Sequence, residues 1–140
     1  AEASFREALR VQPDHARAHT NLATLLIERG KTGEAAGHLE QAIKSNPREE
    51  KNYKVLSSLL IAGQRWPDAQ ACLEKALVEN PHSANYHALL GMTLAQQGQL
   101  ARAVTHLEHA LKIQPDHSDA RRNLTVVRGM IAQGNGAPPK

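Results

Sequence analysis

The stretch ALKIQPDHSDARRNL, residues 110–124, contains the triplet Pro115-Asp116-His117, and the same triplet occupies residues 13–15. Two further prolines divide the interval between the two copies into equal steps. The four prolines are Pro13, Pro47, Pro81 and Pro115, each 34 residues after the one before. A fixed period of this kind indicates internal repeats, and these determine how the rest of the chain is interpreted.

Rows of 34 residues agree at many other columns. Within a row, the apolar residues are spaced by three and four, which is typical of one face of an α-helix, and no stretch alternates as a strand does. The sequence therefore predicts an all-α fold. The most regular columns hold leucine (Leu22, Leu56, Leu90 and Leu124), small residues (Ala23, Ser57, Gly91 and Thr125) and alanine (Ala8, Ala42, Ala76 and Ala110).

Each full row is predicted to hold two helices, here called helix A and helix B in chain order. In the first row they run from about residue 16 to 29 and from about 32 to 45, with Gly30 in the turn. Glycine tolerates the left-handed conformation that ends many helices. We expect Gly63 and Gly98 to break the helices of the next two rows, and the periodic prolines to end each helix B.

With its pattern of a large residue, Leu, a small residue, a bulky residue, Ala and Pro over 34 residues, the chain resembles the tetratricopeptide repeat (TPR) family. The resemblance extends from Ala1 to about Ala132. It implies a right-handed superhelical solenoid of antiparallel helix pairs. The column in which the family often has Trp is different here, so we expect more polar packing at the start of helix A. That column reads His19, Tyr53, His87 and Arg121.

The resemblance divides the chain into one repeat domain, residues 1–132, and a flexible tail, residues 133–140. The domain would comprise helix B of an incomplete repeat (1–13), three full repeats (16–49, 50–83 and 84–117) and a capping helix (118–132).

The first helix carries an apolar stripe of Phe5, Ala8 and Leu9, with no preceding helix A to cover it. We expect either a further half-repeat upstream or docking of this helix onto a second copy of the chain. The second arrangement would make the protein a homo-oligomer through its N-terminal half-repeat.

Composition narrows the function classes. The single cysteine, Cys72, excludes an internal disulfide and is too few for a structural zinc site. No apolar run approaches the ~20 residues of a membrane span, so we expect a soluble protein without membrane insertion. The net charge of +3 is modest and the Arg121-Arg122 pair has no aromatic stacking platform beside it, so nucleic acid is not expected as a partner.

The side of helix A opposite its buried leucines is the candidate functional surface. In the family that the chain resembles, these positions line a concave groove that holds a peptide. An apolar floor with a polar rim is a common design for such a site. In the alternative interpretation, Leu89 and Met92 only pack between neighbouring A helices. The predicted groove residues are Arg17, Thr20, Asn21, Thr24, Lys51, Lys54, Val55, Ser58, Asn85, Leu89, Met92, Arg122, Asn123 and Val126.

One well-known groove of the family is a carboxylate clamp, in which Lys, Asn and Arg side chains hold a C-terminal Asp. Its Lys and Asn positions in the first row read Thr20 and Thr24, and in the second row Lys54 is followed by Ser58. We therefore expect the clamp to be absent.

Catalytic or metal chemistry finds little support in the sequence. The pairs His15/His19 and His106/His109 have the spacing of zinc ligands on one side of a helix, but no third ligand is placed beside them. We expect ordinary surface or packing histidines. Cys72 falls on the predicted outer side of helix B, and no glycine-rich phosphate loop is found. The sequence therefore predicts no catalytic residue, no metal and no cofactor.

The pattern as a whole predicts a non-enzymatic scaffold that binds a protein or peptide partner in the groove. Two alternatives stay open. The chain could be a self-assembly module that forms oligomers through its terminal helices, or an accessory TPR domain of a larger enzyme. The sequence assigns no compartment.

Overall fold

The computed structural model describes residues 2–12 and 15–134, and within these ranges it contains eight helices and no strand. The predicted all-α fold is confirmed. Predictions that concern Ala1, Pro13, Asp14 and the tail beyond Gly134 lie outside the described residues. The helices are α1 (Glu2–Val11), α2 (Ala16–Glu28), α3 (Thr32–Ser45), α4 (Glu50–Ala62), α5 (Trp66–Glu79), α6 (Ala84–Gln96), α7 (Leu100–Ile113) and α8 (Ser118–Ala132).

The chain divides into two compact units, residues 1–63 and 64–140. In unit 1, α1 packs against α2, α2 against α3, and α3 against α4. In unit 2, α5 packs against α6, α6 against α7, and α7 against α8, while α6 also contacts α8. Short turns between consecutive helices make each such pair antiparallel, as in helical repeats. The right-handed superhelix stays a prediction.

The repeat columns form the core of each unit. In unit 1, Leu22, Leu26 and Leu39 are fully buried, and in unit 2 Leu90, Leu94 and Leu107 are fully buried. These leucines supply the apolar burial that stabilises each helix pair.

Gly91 marks the closest approach of α6 and α7. A Cβ atom at this position would lie 2.6 Å from Leu107 Cγ and 3.1 Å from the carbonyl oxygen of Ala103. Both distances are shorter than a side chain accepts, so the small-residue column is required here by packing.

The turns between helix A and helix B follow the 34-residue period more strictly than the glycines do. Gly30 and Gly98 adopt the left-handed conformation, with φ of 76° and 77°. Gly63 is the C-cap of α4, but its φ is −83°. The left-handed residue of that turn is Gln64, with φ of 57°, because it occupies the position of Gly30 and Gly98 in the repeat.

The polar column at the start of helix A has a structural explanation. In three repeats its side chain donates a hydrogen bond to the carbonyl oxygen of the repeat proline six residues earlier. That carbonyl follows the end of a helix and needs a donor. The bonds are Tyr53 Oη to Pro47 O (2.8 Å), His87 Nε2 to Pro81 O (3.0 Å) and Arg121 Nη2 to Pro115 O (2.9 Å).

The histidine of the repeated triplet caps a helix. His15 Nδ1 accepts a hydrogen bond from the Ala18 backbone N–H at 3.1 Å, and His117 Nδ1 accepts one from Ala120 N–H at 3.1 Å. Both histidines are the N-cap residues of their helices, α2 and α8. The triplet therefore recurs because it joins the end of one helix to the capped start of the next.

Candidate functional site

The predicted groove residues of unit 1 lie on α2 and α4. Their side chains are accessible to different degrees, and none is fully buried. Arg17, Thr24, Lys51, Lys54 and Ser58 are exposed, whereas Thr20, Asn21 and Val55 are half-buried. Lys54 forms an exposed ion pair with Glu50 at 3.4 Å. Surface pairs of this kind contribute little to stability, so Lys54 can exchange this contact for one with a ligand.

A cavity of about 670 Å³ opens at the starts of α2 and α4 in unit 1. Four predicted groove residues line it, namely Arg17, Thr20, Asn21 and Lys51. Arg17 and Lys51 are cationic, and the acidic residue of the lining is Glu49, so the charged side chains carry a net positive charge. The other lining residues are Gln12, His15, Ala16, Ser45, Asn46 and Asn52.

Asn52 is a polar residue of this cavity that the sequence analysis missed. Only 1% of it is exposed, and its Oδ1 atom lies 2.8 Å from the hydroxyl oxygen of Thr20. Its Nδ2 atom is buried without a hydrogen-bond partner. A signal was available in the repeat columns, since this amide stands in register with Ala18, Tyr86 and Ala120.

The predicted groove residues of unit 2 lie on α6 and α8. Leu89, Met92 and Asn123 are half-buried, and Val126 is 56% exposed. Leu89 and Met92 thus keep part of their apolar surface in water, which leaves both the ligand-binding and the packing interpretation open.

Two polar members of the same set are engaged within unit 2. Asn85 Oδ1 accepts a hydrogen bond from His117 Nε2 at 2.7 Å, and Arg122 Nη2 pairs with Asp119 Oδ1 at 2.6 Å. Asn85 and Arg122 are both exposed. The surface of α6 and α8 therefore combines accessible apolar side chains with oriented polar ones.

The histidines meet across helices and not within them. His19 Nδ1 lies 2.9 Å from His38 Nδ1 in unit 1. In unit 2, His87 Nδ1 lies 3.1 Å from His106 Nδ1, and the His87 ring stacks on that of His109 with 4.5 Å between centroids. The i, i+3 and i, i+4 pairs considered in the sequence are not the ones that the fold brings into contact.

Burial lowers the pKa of three of these histidines, His38, His87 and His106. Neighbouring histidines lower each pKa further, because two positive rings repel each other. Among the residues that the structure describes, no group of three or more His, Cys, Asp or Glu side chains could hold a metal ion.

Two further observations concern the remaining candidates. Cys72 is buried, with 6% exposed, so its predicted place on the outer side of helix B is wrong; α5 packs against α6 through the column that holds this residue. Within the described part of the chain, no helix has the length and apolar character to cross a bilayer.

Three family models with the description "Tetratricopeptide repeat" match the chain, over residues 1–50, 26–92 and 84–117. No curated protein matches it.

Several solved structures share the fold. The crystal structure of MamA has a TM-score of 0.79 at 17% identity, and the match covers 95% of this chain and 77% of MamA. The first TPR of Spaghetti (RPAP3), bound to the HSP90 peptide SRMEEVD, has a TM-score of 0.74 at 16% identity, with 84% and 93% covered. For the Arabidopsis OM64 TPR domain these values are 0.71, 15%, 81% and 94%. At such identities the likeness concerns the fold alone.

Proposed function

Because the chain belongs to the tetratricopeptide repeat family, we propose that it is a non-enzymatic scaffold that binds a peptide segment of a partner protein on its helix A surfaces. The observation that carries the proposal is the cavity of unit 1. It collects Arg17, Thr20, Asn21 and Lys51 from two A helices, and the repeat pattern had selected these residues independently. Concave sites with a few convergent polar groups are where ligands commonly bind.

The surface of unit 2 supports the same function. Leu89 and Met92 on α6 and Val126 on α8 offer apolar anchors, and Arg122 and Asn123 are polar neighbours. Apolar side chains with a polar margin suit a peptide that carries both apolar and acidic residues. A TPR with this fold, the first of Spaghetti, holds a peptide, which is a further argument for a peptide ligand here.

Site-specific photo-crosslinking tests the proposal. A photoreactive amino acid would replace Lys51 in one variant and Met92 in another, and each would be irradiated in the presence of the natural host's extract. The matched control carries the same amino acid at Glu74, an exposed residue of α5 outside the predicted groove. We expect a shared crosslinked protein from Lys51 and Met92. Crosslinks from Glu74 alone would contradict the proposal.

Self-association is a second candidate, and α1 favours it. None of the described residues of α1 is fully buried; Phe5, Ala8 and Leu9 are half-buried and Val11 is 72% exposed. A second copy would cover this apolar stripe. Light scattering across a concentration series, with Phe5→Glu as the comparison, tests the candidate: a concentration-dependent mass that the variant loses supports it, and a constant monomer mass contradicts it.

A further inference from the structure

The amide of Asn52 is unexplained by packing. Three of the four residues in its column are Ala18, Tyr86 and Ala120, so the repeat does not require an amide at this position. Yet Asn52 is almost completely buried, and its Nδ2 atom has no hydrogen-bond partner. Leaving a buried donor unpaired is costly, and such a group therefore needs a reason.

Thr20 cannot satisfy both ends of this amide. Its hydroxyl lies 3.0 Å from the carbonyl oxygen of Ala16 and 2.8 Å from Asn52 Oδ1, but it has one proton to donate. When that proton goes to Oδ1, the amide is oriented with its NH₂ group away from Thr20. That NH₂ group is the donor that has no partner.

We infer that the cavity of unit 1 binds a carboxylate of the partner, and that the NH₂ group of Asn52 donates a hydrogen bond to it. The inference rests on the proposed function and specifies the chemistry of the ligand. Arg17 and Lys51 line the same cavity, and a carboxylate accepts hydrogen bonds while matching their charge. Glu49 is the acidic lining residue, so the charged side chains favour an anion.

Asn52 is not one of the positions of the family's carboxylate clamp, whose first-row positions read Thr20 and Thr24 here. Its nitrogen is covered in the structure, so the ligand oxygen reaches it once the amide turns about the Cβ–Cγ bond. Rotation about this bond is soft, because a terminal torsion next to a planar group has broad minima. Binding therefore reorients the amide while the hydroxyl of Thr20 keeps an acceptor nearby.

Side-chain NH₂ resonances in ¹⁵N-correlated NMR spectra of the full chain provide a direct test. The Asn52 signal would be assigned by its loss in Asn52→Asp. The probes are N-acetylglutamate, its neutral match N-acetylglutamine, and inorganic phosphate. We expect a saturable shift of the Asn52 signal with N-acetylglutamate and none with N-acetylglutamine.

Three outcomes would overturn the inference. If no probe moves the Asn52 signal, the group is served by bound water only. If the neutral probe moves it equally, charge is not recognised. If phosphate saturates the site at a lower concentration than N-acetylglutamate, the ligand is a phosphate and not a carboxylate.

The variant Asn52→Asp tests the role of the nitrogen itself. It keeps an oxygen for the Thr20 hydroxyl and replaces the NH₂ donor with an oxygen that repels a carboxylate, so we expect the affinity for N-acetylglutamate to fall at least about tenfold. The signals of Thr20 and Asn21 then serve as reporters. Asn85→Asp, in unit 2, is the matched control and should leave the affinity unchanged. Equal affinity in Asn52→Asp and the wild type would overturn the inference.

A second variant guards against misfolding of Asn52→Asp. Lys51 is exposed, and Lys51→Gln should also weaken N-acetylglutamate binding; an unchanged affinity would contradict the inference. These measurements use no partner protein. A carboxylate site without crosslinks from Lys51 would contradict the scaffold function alone, whereas crosslinks without a carboxylate response would contradict this inference alone.

Discussion

The Nδ1 atoms of His87 and His106 lie 3.1 Å apart, with 5.4 Å between the ring centroids. The centroid distance exceeds the nitrogen distance by one ring radius at each end, which requires the rings to lie head to head. His87 Nε2 donates to the carbonyl oxygen of Pro81, which can only accept, so Nδ1 of neutral His87 carries a lone pair. His106 Nδ1 is therefore the donor, and the pair is an N–H···N hydrogen bond between neutral rings.

This relationship predicts that acid destabilises the protein. Burial lowers the pKa of His87 and His106 below the ordinary value of 6.5, and a positive Arg102 and a neighbouring His109 lower that of His106 further, against an opposing effect of Glu74. The unfolded chain thus binds more protons than the folded one once the pH falls below about 6.5. The stability present above that pH is lost as the pH falls towards the lowered folded values. Urea unfolding at pH 7.5, 6.5 and 5.5 measures this loss.

The chain supplies its own control for the acid effect. His87→Tyr combined with His106→Cys installs the residues found one repeat earlier in the same columns, at Tyr53 and Cys72. A tyrosine at residue 87 can donate to the Pro81 carbonyl as Tyr53 does to Pro47. We expect a smaller loss of unfolding free energy on acidification. An unchanged pH dependence would mean that other groups cause it.

The close approach at Gly91 predicts the cost of a single methyl group. Gly91→Ala should lower the unfolding free energy by about 1–3 kcal/mol, because the added Cβ meets Leu107, which is fully buried and cannot move away easily. Gly37→Ala is the matched control. Gly37 also lies within a helix, has no atom within 4 Å of its ideal Cβ position, and should gain about 0.5–1 kcal/mol from the better helix propensity of alanine. Thermal and urea unfolding of both variants measure the difference, and a gain in both would contradict the packing argument.

The left-handed conformation of Gln64 predicts a stabilising substitution. Gln64→Gly should raise the unfolding free energy by about 1 kcal/mol, because a residue with a Cβ atom is strained at positive φ. The reverse change, Gly98→Gln, at the corresponding position of the next repeat should lower it by a similar amount. If the two variants shift the melting temperature in the same direction, the turn does not have the conformation described.

The proposed peptide surface predicts separate roles for apolar and charged residues. Leu89→Asp should nearly abolish binding of the crosslinked partner while the circular dichroism spectrum stays helical, since a charge would replace an apolar anchor. Lys54→Glu should weaken binding more at low than at high salt, because the screening length falls from ~30 Å at 0.01 M to ~8 Å at 0.15 M.

Glu74→Ala is the control for both binding variants and should have little effect. Affinity measured by fluorescence anisotropy at the two salt concentrations distinguishes the roles. Normal binding by Leu89→Asp together with failure of Glu74→Ala would place the ligand on the other side of the helices.

The order and bounds of the helices were determined by the sequence alone. Helix A of the first row was predicted from about residue 16 to 29, and α2 runs from Ala16 to Glu28. The predicted buried side of that helix, His19, Leu22, Ala23 and Leu26, is buried in the structure. This works because each repeat is a local unit, in which the spacing of apolar residues decides which face of a helix is buried.

The polar details were decided only by tertiary structure. A helical period places His19 and His38 on their faces, but the 2.9 Å contact between them depends on how closely α2 and α3 pack. For the same reason, the sequence could not show that Cys72 is buried or that Asn52 meets Thr20 across two helices. A hydrogen bond weakens steeply with distance and angle, so side chains 19 or 32 residues apart become partners only when packing brings their atoms into register.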